Sequence, residues 1–210
     1  EALLAAIAQR EGHQVAVYDA NAHRQPIEKV ADACRADAWD VIAVGGLTTT
    51  YNCLKGCFRI ARETSPKSLL VAGGGFITSM PLEIMDWLPE IDVGLVGECF
   101  RSWPELLQRV DEGERDFSDM QGIVYRDAVG PVLTEARPVI HDLDELPFPA
   151  WDLFPLEIYF KNSSSLFSEE AYLATRRIDI NGSFGCSLIC RYCWHLGTTG
   201  DMLVESRGDG

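Results

Sequence analysis

The period of the apolar positions changes repeatedly along the first half of the chain, and the changes mark alternating helices and strands. Residues 1–10 set Leu3, Leu4 and Ile7 on one helical face, and Gly12 closes the helix. Residues 14–18 read as a short strand and residues 27–36 as a second helix. A strand over 40–44 ends in Gly45-Gly46, and the threonines after Leu47 open and cap a helix over 50–64. The strand 68–72 ends in Gly73-Gly74-Gly75, helix 81–88 follows, and the strand 91–96 ends in Gly97-Glu98. Helix 102–110 completes the run, with Pro104 tolerated only near its start.

Strands alternating with helices of about 10–15 residues predict an α/β fold, a Rossmann-like (flavodoxin-like) parallel sheet covered on both faces. Such a domain should open with a strand, and this sequence opens with a helix. In flavodoxin-like order that strand sits in the middle of the sheet, so the expectation is a native first strand outside the sequence given.

After Gly113 the texture changes. Residues 122–126 and 132–134 alternate like a small hairpin turning through 127–131. Residues 143–160 have little periodicity and set Pro147, Pro149 and Pro155 among Phe148, Trp151, Phe154 and Tyr159. Prolines among large rings predict an extended connector pinned against a surface. The polar run 161–165 is expected to be mobile, and Ala174 opens the first strand of a new domain. The expected organisation is therefore a sheet domain over 1–113, a hairpin and connector over 114–173, and a truncated second domain over 174–210. The sequence begins without methionine and stops at Gly210, 17 residues past Cys193, as a piece of a longer protein would.

Composition narrows the partners. Thirty-two acidic residues against 18 basic ones give a formal charge of −14, which argues against a nucleic-acid groove. No stretch reaches a membrane span and no secretory signal opens the chain. Seven cysteines without a framework spacing fit a reducing compartment, most simply the cytoplasm.

Chemistry concentrates near the end, where Cys186, Cys190 and Cys193 fall at C-x3-C-x2-C with Tyr192 before the last. Thiolates suit zinc or an iron–sulfur cluster. A zinc site needs a fourth ligand, and His195 lies too close to Cys193 for a usual finger spacing. A cubane held by three thiolates instead leaves one iron open to a substrate. Three buried free cysteines are the remaining reading.

The spacing and its aromatic resemble the signature of the radical S-adenosylmethionine enzymes. That resemblance implies a 4Fe-4S cluster on Cys186, Cys190 and Cys193, whose open iron chelates S-adenosylmethionine beside Tyr192. It also implies cleavage of that cofactor to an adenosyl radical and an external electron donor such as flavodoxin or ferredoxin.

The sheet domain adds a second resemblance. Ligands of open parallel sheets lie beyond the carboxyl ends of the strands. Three such ends here are Gly45-Gly46-Leu47-Thr48-Thr49, Gly73-Gly74-Gly75-Phe76 and Gly97-Glu98, with no dinucleotide fingerprint and no P-loop. Together with the phrase Leu146-Pro147-Phe148-Pro149-Ala150-Trp151, they resemble the cobalamin-binding domain and connector that precede many radical S-adenosylmethionine domains. By that resemblance the residues of the first two strand ends contact cobalamin, with Gly97 and Glu98 lining the same crevice. On the residues alone, the glycines equally serve tight turns, and Glu98 equally caps the next helix. The histidine motif D-x-H-x-x-G, which brings a ligand to cobalt in other cobalamin proteins, is absent.

The implied function is methyl transfer to an unactivated carbon of a small-molecule or peptide substrate, with radical cyclisation or rearrangement as the alternative. A non-enzymatic cobalamin carrier and a zinc-binding interaction protein are the other classes. Cys34, Cys53, Cys57 and Cys99 are expected to fill the core, His13 to sit in a surface turn and His141 in the connector.

Overall fold

The computed structural model describes residues 1–163 together with Arg176, Ile178, Ile180 and Phe184. Among the described residues, five strands form one mixed sheet in the order β1-β2-β3-β4-β5. Three of them, β1 (Val41–Gly45), β2 (Leu69–Gly73) and β3 (Val93–Leu95), run parallel, with Gly45 opposite Gly73 and Ala72 opposite Gly94. The helices are α1 (Ala2–Arg10), α2 (Ala20–His23), α3 (Val30–Arg35), α4 (Tyr51–Thr64), α5 (Gly75–Ser79), α6 (Pro81–Trp87), α7 (Ser102–Asp111) and α8 (Leu156–Ser163).

The sheet is covered on both faces, and β2 shows why its sequence is a continuous apolar run. Leu70 and Ala72 pack with Phe58, Phe76, Ile84 and Met85 on one side, and Leu69 and Val71 with Leu106, Val110 and Met120 on the other. Leu70 is fully buried, so truncation to Ala there would cost about 2–5 kcal/mol. The base of the sheet is locked by Arg62, which donates to the Glu90 carbonyl and the Asp92 carboxylate at 2.7 Å each. That same carboxylate oxygen accepts the Leu70 N–H at 2.7 Å.

Several expectations need correction. Residues 14–18 form no strand and pair with none among the described residues. Val15 and Val17 lie instead against Ala5, Ala6 and Ala150, since alternation alone cannot supply a ladder partner. The helix over 27–36 is split into a tight turn, Ile27–Lys29, and α3. Helix α5 was not anticipated, because the glycine run at its start conceals it. Thr50 does not cap α4; its hydroxyl donates back to the Leu47 carbonyl at 2.8 Å.

The hairpin of β4 (Ile123–Arg126) and β5 (Pro131–Leu133) pairs antiparallel with β3, so it extends the sheet rather than standing in the connector. Arg126 donates to the carbonyls of Met85 and Leu88 and ties the hairpin to the end of α6. The connector is less extended than expected: it forms tight turns at Leu143–Glu145 and Trp151–Leu153 and then α8, which takes in residues 161–163 of the polar run. It is nonetheless docked. Ala150 N–H donates to the Ala2 carbonyl at 3.0 Å, and Tyr159 donates to Asp19 at 2.5 Å. Phe148 stands free, at 96% exposure.

Candidate functional site

The carboxyl ends of the parallel strands form one crown, stitched together by short backbone contacts. Gly45 and Gly73 close β1 and β2 side by side. The Gly46 carbonyl accepts the Phe76 N–H at 3.1 Å, which draws the start of α5 onto the end of β1. The Thr48 and Ser79 hydroxyls lie 3.3 Å apart across the same gap. From the third strand, the Gly97 N–H reaches the Thr78 hydroxyl at 3.1 Å. The crown therefore gathers the strand-end residues predicted from sequence and adds Thr78 and Ser79. Hydroxyls following a strand-end glycine run were the signal available for those two.

The glycines have different reasons to be glycine. At Gly73 an added β-carbon meets no atom within 4 Å, so open space lies over this position. Gly74 has φ +82°, and a β-carbon there would sit 2.9 Å from the Gly46 carbonyl oxygen. Its lack of a side chain serves the crown's own packing before any ligand. At Gly46 the neighbours are Leu54 and the Thr50 hydroxyl, so it too is glycine for internal packing. Gly75 is the first residue of α5. Phe76 turns its ring into the core, stacked on Phe58 at 6.4 Å, and its N–H is already engaged. The Phe76 side chain thus belongs to the core beneath the crown.

Around that crown the surface is mixed. Leu47 is 58% exposed, and Thr48, Thr49, Gly74 and Ser79 are exposed too. The turn after β3 is strained: Gly97 has φ +85° and Cys99, buried, has φ +65°. Glu98 accepts the Ile140 N–H at 3.4 Å and makes no cap on α7, so it ties the connector to the strand end. Phe100, two residues on, meets Phe184 edge-to-face with ring centroids 5.1 Å apart.

Cys186, Cys190, Cys193 and Tyr192 lie outside the described residues. Among the described residues no three His, Cys, Asp or Glu side chains are gathered as metal ligands. Cys34, Cys57 and Cys99 are buried as expected, but Cys53 is exposed, on the outer side of α4. Burial pushes the Cys57 and Cys99 thiols up to about 12, so both stay protonated near neutrality. His13 pairs with Asp111 at 3.6 Å. A separate cavity of about 400 Å³ lies at the opposite, amino end of the strands, lined by Arg62, Lys67, Asp92, Arg115 and Arg126. Arg62 and Arg126 are committed there to carbonyls and to Asp92, so the groups that lock the sheet also line that cavity.

The crown suits a wide, flat ligand with amide edges. Open space above Gly73, an exposed leucine and a row of hydroxyls offer close backbone approach, an apolar contact and hydrogen bonds. A corrinoid has that shape and those groups. Residues 2–105 match the B12 binding domain family. An uncharacterized methyltransferase of Pyrococcus horikoshii is 28% identical over 151 residues, which is 71% of this chain and 32% of that protein. The anaerobic magnesium-protoporphyrin IX monomethyl ester cyclase of Cereibacter sphaeroides is 26% identical over 168 residues, 79% of this chain and 26% of that protein. The fold is also that of the cobalamin-dependent S-adenosylmethionine radical enzyme OxsB, solved with aqua-cobalamin and S-adenosylmethionine bound. It matches with a TM-score of 0.62 at 16% identity, over 75% of this chain and 22% of that one. This chain thus spans about a third of its curated relatives or less. No helix among the described residues is long and apolar enough to cross a membrane. Residues 2–105, about half of the chain, are thus a B12-binding domain.

Proposed function

We propose that the whole protein is a radical S-adenosylmethionine methyltransferase acting on an unactivated carbon of a small-molecule or peptide substrate. The observation that carries the reading is the order of two features: a B12-binding crown, then Cys186, Cys190 and Cys193 at C-x3-C-x2-C. When bound, the 4Fe-4S cluster and S-adenosylmethionine supply a radical that takes a hydrogen atom, and cobalamin supplies the methyl group. The chain's own residues bind and orient. Gly73 leaves room for a corrin edge, Leu47 gives it an apolar contact, and the hydroxyls of Thr48, Thr49 and Ser79 meet its amide side chains. The three cysteines would hold the cluster, and Tyr192 would serve the S-adenosylmethionine side of it. A flavodoxin or ferredoxin supplies the electron, in a reducing compartment, the cytoplasm.

A cyclase is the second reading, favoured by the longer match to the cyclase relative, 79% of this chain against 71%. Both readings share one first test. Full-length protein purified without oxygen should carry iron, sulfide and corrinoid, and each of Cys186→Ala, Cys190→Ala and Cys193→Ala should abolish the cluster. Iron content unchanged in Cys190→Ala would end the radical reading. Transfer of label from methyl-labelled S-adenosylmethionine to product separates the methyltransferase from the cyclase.

A further inference from the structure

The turn from Gly97 to Phe100 is held from every side except one. Gly97 N–H is bonded to the buried Thr78 hydroxyl at 3.1 Å, and Glu98 accepts from Ile140 at 3.4 Å. The Cys99 thiol donates to the Gly97 carbonyl at 3.1 Å, and the Cys99 carbonyl accepts from Trp103 N–H at 2.8 Å. Cys99 keeps a left-handed φ of +65°, which a β-carbon disfavours and which persists only where the surroundings over-determine it. What this strained turn presents outward is the half-buried ring of Phe100, and that ring meets Phe184 at 5.1 Å and 76°. Edge-to-face is a preferred aromatic geometry.

Phe184 stands two residues before Cys186, and two peptide steps span at most about 7 Å of chain. We propose that Phe100 is a positioning residue: through Phe184 it fixes the lead into the cysteine loop against the end of β3, and so sets the separation of cluster and corrinoid. The inference rests on the reading of two cofactors above. Its physical content is that a substrate shared by two cofactors tolerates little drift between them.

The test uses full-length protein, with Phe100→Ala, Phe184→Ala, the double variant, and Phe100→Tyr, which keeps a ring at the same place. Without cofactors, amide exchange is measured over residues 97–103 and 181–186. With both cofactors loaded, the distance between cob(II)alamin and the reduced cluster is measured by dipolar electron paramagnetic resonance. Each Ala variant should raise exchange on the partner segment and lose the single narrow distance peak of the wild type, with iron and corrinoid content unchanged. The double variant should go no further than either single one, and Phe100→Tyr should restore the peak. Phe184 is 41% exposed, so Phe184→Ala decides alone if Phe100→Ala fails to fold. A narrow peak surviving in the Ala variants overturns the inference, whatever exchange does. So does exchange on each segment that ignores the other ring. Wild-type protein that takes up no corrinoid or no cluster overturns the two-cofactor reading and this inference with it, and is told apart by the metal and corrinoid content.

Discussion

Gly73 and Gly74 are adjacent and have opposite tolerances. Gly74→Ala forces a left-handed φ on a residue with a β-carbon and drives that carbon to 2.9 Å from the Gly46 carbonyl, a loss on the order of 1–3 kcal/mol. Gly73→Ala meets open space, so its urea midpoint should stay near that of the wild type. Gly73→Leu should instead fill the crevice and weaken hydroxocobalamin binding in equilibrium dialysis at nearly unchanged stability. Undiminished affinity in Gly73→Leu would remove the ligand from this strand end. The sequence marks the run as a crevice because consecutive glycines end a strand, but it cannot say which glycine faces packing and which faces space. That depends on the Gly46 backbone, distant in sequence. The cysteines divide in the same way. Maleimide at neutral pH should label Cys53 and leave Cys57 and Cys99 untouched in the folded protein, read peptide by peptide in a mass spectrum. Helical spacing puts Cys53 and Cys57 on neighbouring turns, and only packing shows that one of them points outward.

Elements that depend on local pattern were legible, and elements that depend on a distant partner were not. Strand β2 and helices α4 and α7 lie within a residue or two of their predicted bounds, since each carries its own period. Residues 14–18 have a strand's alternation and no ladder among the described residues, while β4 and β5 were legible as a hairpin but not as an extension of the sheet. The segment after α7 shows how an element is tied down by charge. Arg109 clasps Asp119 with two hydrogen bonds, 2.7 and 3.0 Å, and this holds the Asp119 carboxyl below its usual range. Asp116 is also lowered, by the Ser118 N–H it accepts. A depressed carboxyl pKa stabilises the fold above the unfolded value of about 3.9 and loses that contribution as pH falls through the folded value. Urea midpoints should therefore drop below about pH 4, and Arg109→Met should shrink the drop by removing the Asp119 share. An identical acid profile in that variant would show that the clasp is too exposed to matter.

At the scale of the molecule, the connector decides whether the sheet domain and whatever follows it act as one body. Its rings were read from sequence as anchors, and docking divides them: Phe148 stands free, while Tyr159 reaches the sheet domain. Trp151 and Phe154 pair with each other, centroids 6.4 Å apart, while Leu153 packs on the buried cluster of Ala5, Ala6 and Ala150. Tyr159 reaches across 140 positions to Asp19, whose other oxygen accepts the Ala22 N–H at 2.8 Å, and Asn162 donates to the Ala22 carbonyl at 3.4 Å. One carboxylate thus caps α2 and moors α8. The phenol must stay protonated to donate, and burial, then the bond to Asp19, raise its pKa above the ordinary tyrosine value. A raised pKa means that this contribution is fully present below the unfolded value of about 10 and is lost as pH climbs through the folded one. Tyr159→Phe removes the donor and keeps the ring. For a half-buried hydrogen bond to a carboxylate, screened by solvent, the loss is on the order of 1 kcal/mol, or about 2–4 °C in melting temperature. Melting curves of wild type and Tyr159→Phe should differ by a constant gap at neutral and mildly alkaline pH, and the gap should close above about pH 10. Tyr18, also raised, is common to both proteins and cancels in the difference. A gap that persists in strong alkali would mean that Tyr159 moors the connector by packing alone, and no gap at neutral pH would mean that it does not moor it at all.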